Sequence, residues 1–293
     1  MTNLPVNPLL SRATWMHNGD IRPYVFVRPE NKIEAPGTRH KLDWFQYEPI
    51  YKNPLDLHEL PFAEAIYQIE WKSFGGQDLA IPRWVFYDCA AMPGFVAGFA
   101  GRTEKLPKKV LEILGYSTEH EWCPISLFII TPTMHKGEWV AFDLCSINSM
   151  LPKEEQFHGL GFLSKAFGLW YANVQQCSGM TQWGSPALKL HSHYGHLEVI
   201  GSYAPLHTHA TTMTYRCEVN TDCWEKFFTR EPDLAFLENY GPTEFQINPA
   251  DQASMKSLQN KIQNQEGPFY LSAGEIAQKG LKDPLTVYRL KQG

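Results

Sequence analysis

The stretch "EEQFHGLGFLSKAFGLWYANVQ", residues 154–175, decides how the chain is read. Its apolar residues Leu160, Leu163, Phe167, Trp170 and Val174 step by three and four, the spacing of one buried helical face. Gly159 and Gly161 stand at the entrance of that helix. Glycine weakens a helix interior, but at an entrance it lets a ligand approach the main chain and adopts dihedrals that other residues resist. The first amides of a helix lack internal partners and carry the positive end of its dipole, so a bare entrance suits a phosphate. The first expectation is an anion site at the amides of residues 157–161.

Upstream, "SLFIIT" (126–131) and "EWVAFDLCSIN" (138–148) read as strands, the second leading through Pro152 into the glycine loop. Before them, "DWFQYEPI" (43–50) reads as a strand and "ELPFAEAIYQIEWKSFGG" (59–76) as a helix with Pro61 in its first turn and glycines at its end. "RWVFYDCAAMPGFVAGFAGR" (83–102) reads as a hairpin turning at Met92 to Gly94. Downstream, a Ser185 cap, Pro186 at the first helical position and Gly195 as a left-handed stop predict a short helix over 186–194. The segments 196–203 and 211–219 then read as strands. Residues 221–293 form a separate mixed segment, with helical patterns near 222–238, 251–263 and 272–279 and a final strand-like "LTVYRL".

With 293 residues, 43% hydrophobic and 13% aromatic, the chain can bury a substantial core. A net charge of -5 and a pI near 6.1, without a long basic run, argue against nucleic acid and anionic membrane surfaces as partners. The first twenty residues carry no apolar core of signal-peptide length and no run approaches a membrane span, so the expected location is the cytoplasm. Six scattered cysteines without a C-x-x-C pair read as buried thiols rather than as a disulfide framework or a zinc site.

The order strand, helix, hairpin, strand, then Gln156-x-x-Gly159-x-Gly161 opening a helix, then strand, short helix and two strands, resembles the GNAT N-acyltransferase superfamily. In that family a Q/R-x-x-G-x-G/A loop holds the pyrophosphate of acetyl-CoA, and Gln156, Phe157, His158, Gly159, Leu160 and Gly161 are similar to it. Ser185, Ala187, Leu190 and Gly195 fall in register with the family's next segment, and "PGFVAGFAG" (93–101) resembles the strand preceding the cofactor strand. The resemblance covers about residues 41–220. It implies an α+β fold with a mixed, mostly antiparallel central sheet flanked by helices. Residues 1–40 are then an N-terminal arm, 41–220 the acyltransferase domain and 221–293 a C-terminal extension or small subdomain. It also implies acetyl-CoA or another acyl-CoA as co-substrate, no metal, and a primary amine or peptide amine as acceptor.

Where the family usually has a tyrosine that protonates the leaving thiolate, this chain has His191, and where it has phenylalanine after the glycine, it has His196. An imidazolium can donate that proton, and Tyr194, one turn on, is the reserve donor. The attacking amine must be neutral, so a carboxylate or water relay should take its proton; Asp143 is the first candidate and Glu138 the second. Ser164 is expected to add a hydroxyl to the phosphate.

Two alternatives compete. "HSHYGHLE" (191–198) has the H-x-H-(x)4-E spacing of a cupin metal site, with His207 and His209 close behind. On a strand His191 and His193 would share a metal with Glu198, whereas on a helix they diverge by about 200°. The other alternative is a GNAT-like fold that binds a ligand without catalysis.

Overall fold

The computed structural model describes residues 13, 15, 19–33, 47–219 and 234–291. The chain divides into two compact units, residues 1–174 and 175–293. Each is built on a largely antiparallel sheet covered by helices, which makes the chain an α+β protein.

In the first unit the sheet runs in the order β6, β5, β3, β1, β2, formed by Glu138–Ser146, Ser126–Pro132, Phe95–Arg102, Ile21–Phe26 and Ile50–Lys52. A short β4, Trp122–Pro124, also pairs with β3. Among the described strands of this unit, β1 and β2 run parallel and the other pairs antiparallel. The stretch expected to be an arm thus contributes β1, whose Tyr24 and Val25 are fully buried and which lies between β2 and β3.

Helix α1, Leu60–Phe74, has Pro61 in its first turn and Gly75 at its C-cap, as the punctuation predicts. It buries Phe62, Ala65, Ile66, Ile69 and Glu70. Four of these are core residues at helical spacing and the fifth is a carboxylic acid. The expected hairpin over 83–102 is corrected: Arg83–Ala91 is helix α2, and only Phe95–Arg102 is a strand. The aromatic and β-branched content of "RWVFYD" imitates a strand, but Pro82 starts the helix and Phe86 and Ala90, four apart, are its buried pair. The Phe86 ring meets the edge of Tyr67 from α1 at 5.9 Å. Helix α3 is Lys108–Leu114.

Helix α4, Leu160–Tyr171, lies against β3 and β5. It is buried almost all round, and its Gly168 faces Phe128 so closely that an added Cβ would stand 2.5 Å from a ring carbon.

In the second unit the order is β10, β12, β11, β8, β9, β7, all antiparallel, formed by Tyr240–Ile247, Leu285–Leu290, Tyr270–Leu271, Leu197–Gly201, Thr212–Glu218 and Gln176–Gln182. The helix expected over 186–194 is α5, Pro186–Ser192, with the Ser185 side chain accepting from the Ala187 amide. Gly195 takes φ +154°, and a Cβ there would stand 2.6 Å from the Glu218 carbonyl oxygen. Helices α6, α7 and α8 are Leu234–Asn239, Gln252–Gln263 and Ala273–Gln278. Strands β10 and β11 were not legible in the pattern. Residues 43–46 of the expected first strand, 222–233 of an expected helix, and Cys223 lie outside the described residues. No described helix is long and apolar enough to cross a membrane.

Helix propensity alone favours alanine over glycine by about 1 kcal/mol. At Gly168 the contact with Phe128 reverses the sign, so Gly168→Ala should destabilise the protein by about 1–3 kcal/mol in urea unfolding. A stabilised variant would show that α4 does not press on the sheet as described.

Candidate functional site

The first unit brings together two features that the sequence suggested separately, the acidic strand and the glycine loop. Strands β5 and β6 pair residue for residue from Ser126 with Ser146 to Ile129 with Asp143, after which Ile130 pairs with Ala141. Phe142 is therefore an extra residue, a β-bulge, and half of its surface is exposed. A bulge reverses the face to which the following side chains point. Asp143 and Cys145, opposite Ile129 and Leu127, share a face that Ala141 does not. The opposite face of β5 carries Ser126 and Phe128, which meet α4.

Helix α1 packs on β6, and its fully buried Glu70 is close enough to Asp143 for the two charges to repel. One Glu70 oxygen accepts from the Ile81 amide at 2.7 Å, while Oε2 is shut from solvent without a partner. Asp143 has the same split: Oδ1 accepts from the Leu144 amide at 2.7 Å and Oδ2 is buried and unpartnered. Burial raises the Glu70 carboxyl to about 7, against the pull of the Ile81 amide. Burial, then the Glu70 charge, raises Asp143 to about 7 as well. The Cys145 thiol is pushed well above its ordinary value by burial and by both carboxylates, with a Ser73 hydrogen bond acting the other way. Ser73 also meets Ser149 at 2.9 Å. Glu138, the second base candidate, lies at the start of β6 and bonds Thr133 Oγ1 at 3.2 Å.

Past β6 the chain builds the loop around Asn148. Asn148 Nδ2 donates to the Phe157 carbonyl at 2.8 Å, and the Phe157 amide donates to Asn148 Oδ1 at 2.9 Å. Gln156 Nε2 donates to the carbonyls of Asn148 and Leu151, both at 3.0 Å. The polar side chain of Gln156 and the amide of Phe157 are thus spent on the loop's own shape. Trp15 Nε1 donates to the His158 carbonyl at 3.0 Å, with its ring edge-on to Phe99 and Phe157. Gly159 caps α4 with φ +75°, the left-handed conformation that glycine accepts without strain. The Leu160 amide donates to the Phe157 carbonyl and its side chain is core. The amides of His158, Gly159 and Gly161 have no partner among the described residues, at the positive end of a twelve-residue helix. Ser164 is a correction: it is fully buried, its hydroxyl donates to the Leu160 carbonyl at 2.7 Å, and its oxygen lies 2.7 Å from the Ser126 hydroxyl. It stitches α4 to the sheet and has nothing to offer a phosphate.

In the second unit His191 is buried on α5, its ring 5.0 Å from that of Tyr215, and Tyr194 is buried beside it, its amide donating to the His191 carbonyl at 3.1 Å. The cupin ligand set does not assemble. His191 and His193 follow a helix, where two positions differ by about 200°, and Glu198 is held by both guanidinium arms of Arg216 at 2.9 and 3.0 Å. His196 Nδ1 accepts from the Ala273 amide and its ring stacks on Phe236, and His207 Nδ1 accepts from the His209 amide. Among the described residues no group of three or more His, Cys, Asp and Glu is placed to hold a metal.

A separate cavity of about 260 Å³ opens in the first unit among Lys52, His58, Glu59, Phe62, Tyr116 and Trp122. Of the charges around it, Lys52 is paired with Glu59 and Glu121 with Arg102, each at 2.9 Å. Glu70, Asn148 and Trp15 are residues that sequence reasoning missed. Glu70 had a signal, since it stands four residues after Ile66 on the buried face; the other two had none.

No protein-family model and no curated protein sequence matches the chain. Among solved structures it is similar to a NatC complex bound to Gag peptide and CoA, at 11% identity over 57% of this chain and 96% of that one, with a TM-score of 0.38. It is similar to a ribosomal-protein alanine N-acetyltransferase from Escherichia coli, at 13% identity over 57% and 91%, TM-score 0.37. A histone-acetyltransferase-related acetyltransferase from Corynebacterium glutamicum is similar at 12% identity over 57% and 94%, TM-score 0.36. The last two are named as acetyltransferases, and the first was solved with CoA and a peptide bound.

A carboxylate whose folded pKa lies above its unfolded value stabilises the fold fully at pH below about 4, and that contribution is lost as pH rises through about 7. Glu70→Gln should therefore raise stability at pH 8 by on the order of 1–2 kcal/mol and leave it nearly unchanged at pH 4.5. Urea midpoints at the two pH values check this; equal gains at both would mean that Glu70 is not a costly buried charge.

Proposed function

We propose that the chain transfers an acyl group, acetyl in the first instance, from acyl-CoA to a primary amine. The observation that carries this reading is a carboxylate pair, the buried Glu70 of α1 and the partly buried Asp143 of β6, each raised to about 7, in the same unit as a helix entrance with three amides unpartnered among the described residues. The first is a base for an amine and the second a seat for a diphosphate.

In this reading the amides of His158, Gly159 and Gly161 and the dipole of α4 hold the CoA pyrophosphate. Asp143, backed by Glu70, takes a proton from the acceptor nitrogen, whose lone pair then attacks the thioester carbon. The C–N bond forms, the C–S bond breaks, and the thiolate takes a proton. His191 is proposed as the donor of that proton and Tyr194 as its reserve. A pKa near 7 suits the base, because much of it is ionised at neutral pH while it still attracts a proton. A GNAT-like binding protein without catalysis is the second reading, favoured by the departure from tyrosine at His191.

Gly161→Val places a branched side chain at the helix entrance and should weaken CoA by tenfold or more in calorimetric titration, about 1.4 kcal/mol, in a variant whose circular dichroism is unchanged. Unchanged affinity in the folded variant would remove the anion site.

Turnover of an identified amine should depend on the ionised pair, so kcat/KM rises with pH through about 7. Asp143→Asn should lower it by roughly a hundredfold or more and abolish that limb. A variant that keeps rate and limb alike would take Asp143 out of the chemistry.

A further inference from the structure

We propose that Cys177 and Cys217 form a site of reversible oxidation, closing a cross-strand disulfide when the protein meets a hydroperoxide. The site lies wholly in the second unit and is independent of the acyl-transfer reading.

Strands β7 and β9 pair antiparallel without a shift from Gln176 with Glu218 to Gln182 with Thr212, and Cys177 stands directly opposite Cys217. Opposed residues on neighbouring strands point to the same face. The burial pattern agrees: Cys177, Gly179 and Thr181 are buried on one strand, and Met213, Tyr215 and Cys217 on the other. Both cysteines are thiols in no disulfide. Cys177 Sγ donates to the Ser178 carbonyl at 3.8 Å, a long contact that costs little to break. Tyr215, two residues before Cys217, is raised well above its ordinary value by burial and then by the Cys177 and Cys217 charges, as expected where both thiols lie on its side of the sheet. The other described cysteines lack an opposed partner of this kind: Cys123 pairs with Gly101, Cys145 pairs with Leu127, and Cys89 is on helix α2.

The ladder also says what sort of bond would form. The Val219 amide donates to the Gln175 carbonyl at 2.8 Å, so these two are a hydrogen-bonded pair. Two residues on, Cys177 and Cys217 occupy the next such pair, whose Cα atoms stand about 5.5 Å apart. That lies inside the span of about 4.4–6.8 Å that a disulfide bridges. The Cβ atoms of such a pair are also about 5.5 Å apart, whereas the bond wants about 3.5–4.5 Å. Closure must draw the two strands together locally, which leaves the bond strained and easily reduced. The crosslink is therefore reversible rather than permanent.

The chemistry balances with a hydroperoxide as oxidant. One thiolate attacks a peroxide oxygen; the S–O bond forms, the O–O bond breaks, and with hydrogen peroxide one water leaves, giving a sulfenic acid. The second thiol attacks that sulfur; the S–S bond forms, the S–O bond breaks, and a second water leaves. Two thiols lose two electrons and two protons, and the peroxide takes both. Neither thiol is open to solvent, so the first step waits on local opening of the strand pair. The second step needs no external partner, since the ladder already holds the other thiol beside it.

The experiment treats the whole reduced chain with excess hydrogen peroxide at pH 8, alkylates remaining thiols in denaturant, and maps non-reduced peptides by mass spectrometry. We expect one dominant link, joining the peptides that hold Cys177 and Cys217, at least tenfold more abundant than any other, and its loss on treatment with dithiothreitol. Cys177→Ser and Cys217→Ser should each abolish that link and leave a sulfenic acid that dimedone traps on the remaining partner, while Cys89→Ser should keep the link. The wild-type map stands alone if a variant fails to fold. Oxidation repeated in urea should give scrambled links, showing that the native sheet selects the pair. Dominance of any other link in the folded chain overturns the proposal. So does full alkylation of both cysteines after oxidation, or their conversion to sulfinic acid without a link.

Discussion

One extra residue in strand β6 decides which way its acid faces. Without the bulge at Phe142, Asp143 would share the face of Ala141 and Ile130; with it, Asp143 and Cys145 turn to the α1 side, where Glu70 and Ser73 wait. The rest of the site depends on that reversal. A strand that delivered its aspartate to the other face would set it among Ser126, Ser164 and Phe128, where α4 and the sheet are in direct contact and no acid could be accommodated. The bulge leaves Phe142 half exposed, so local ladder pairing is given up to aim one carboxylate.

That aim has an energetic cost, and the surrounding unit offsets it. Two acids raised to about 7 oppose folding at neutral pH, whereas a leucine or glutamine at either position would not. Around them the sheet is conventional: β3 buries seven consecutive residues, and Tyr24, Ser126 and Ser164 tie β1, β5 and α4 together through hydrogen bonds of 2.7 to 2.8 Å. A local rule broken inside an otherwise consistent core is where a fold most often keeps its chemistry.

The pattern of legibility follows from the same physics. Helices α1, α4 and α5 were readable because proline, serine and glycine punctuate them and their apolar residues keep one period. Helix α2 was misread because nine residues rich in aromatics satisfy strand propensity locally, while the pair that makes it helical, Phe86 and Ala90, is only two positions long. The hydroxyl of Ser164 suggests a phosphate contact, but its place four residues after Leu160 puts it on the buried face. Asn148 and Trp15 act through contacts 9 and 143 residues distant in sequence, and no periodicity encodes such pairings. Glu70 lay in plain view as an acid at an apolar position; what was missing was the partner that gives it meaning.

Strand β6 links two demands that conflict if met in one place. A diphosphate wants donors and positive potential, and an ammonium wants acceptors and negative potential; side by side they would cancel each other's field. Here the acceptors sit on the α1 face of β6, while the donors are backbone amides beyond its end, at the mouth of α4. Asn148 holds the loop by neutral hydrogen bonds, so no cation is needed near the acids to shape it. A diphosphate bound there, as proposed, would draw its field from peptide dipoles that reach little beyond the first turn. That short range leaves Glu70 and Asp143, a few residues away along the same strand and its covering helix, with their raised affinity for a proton.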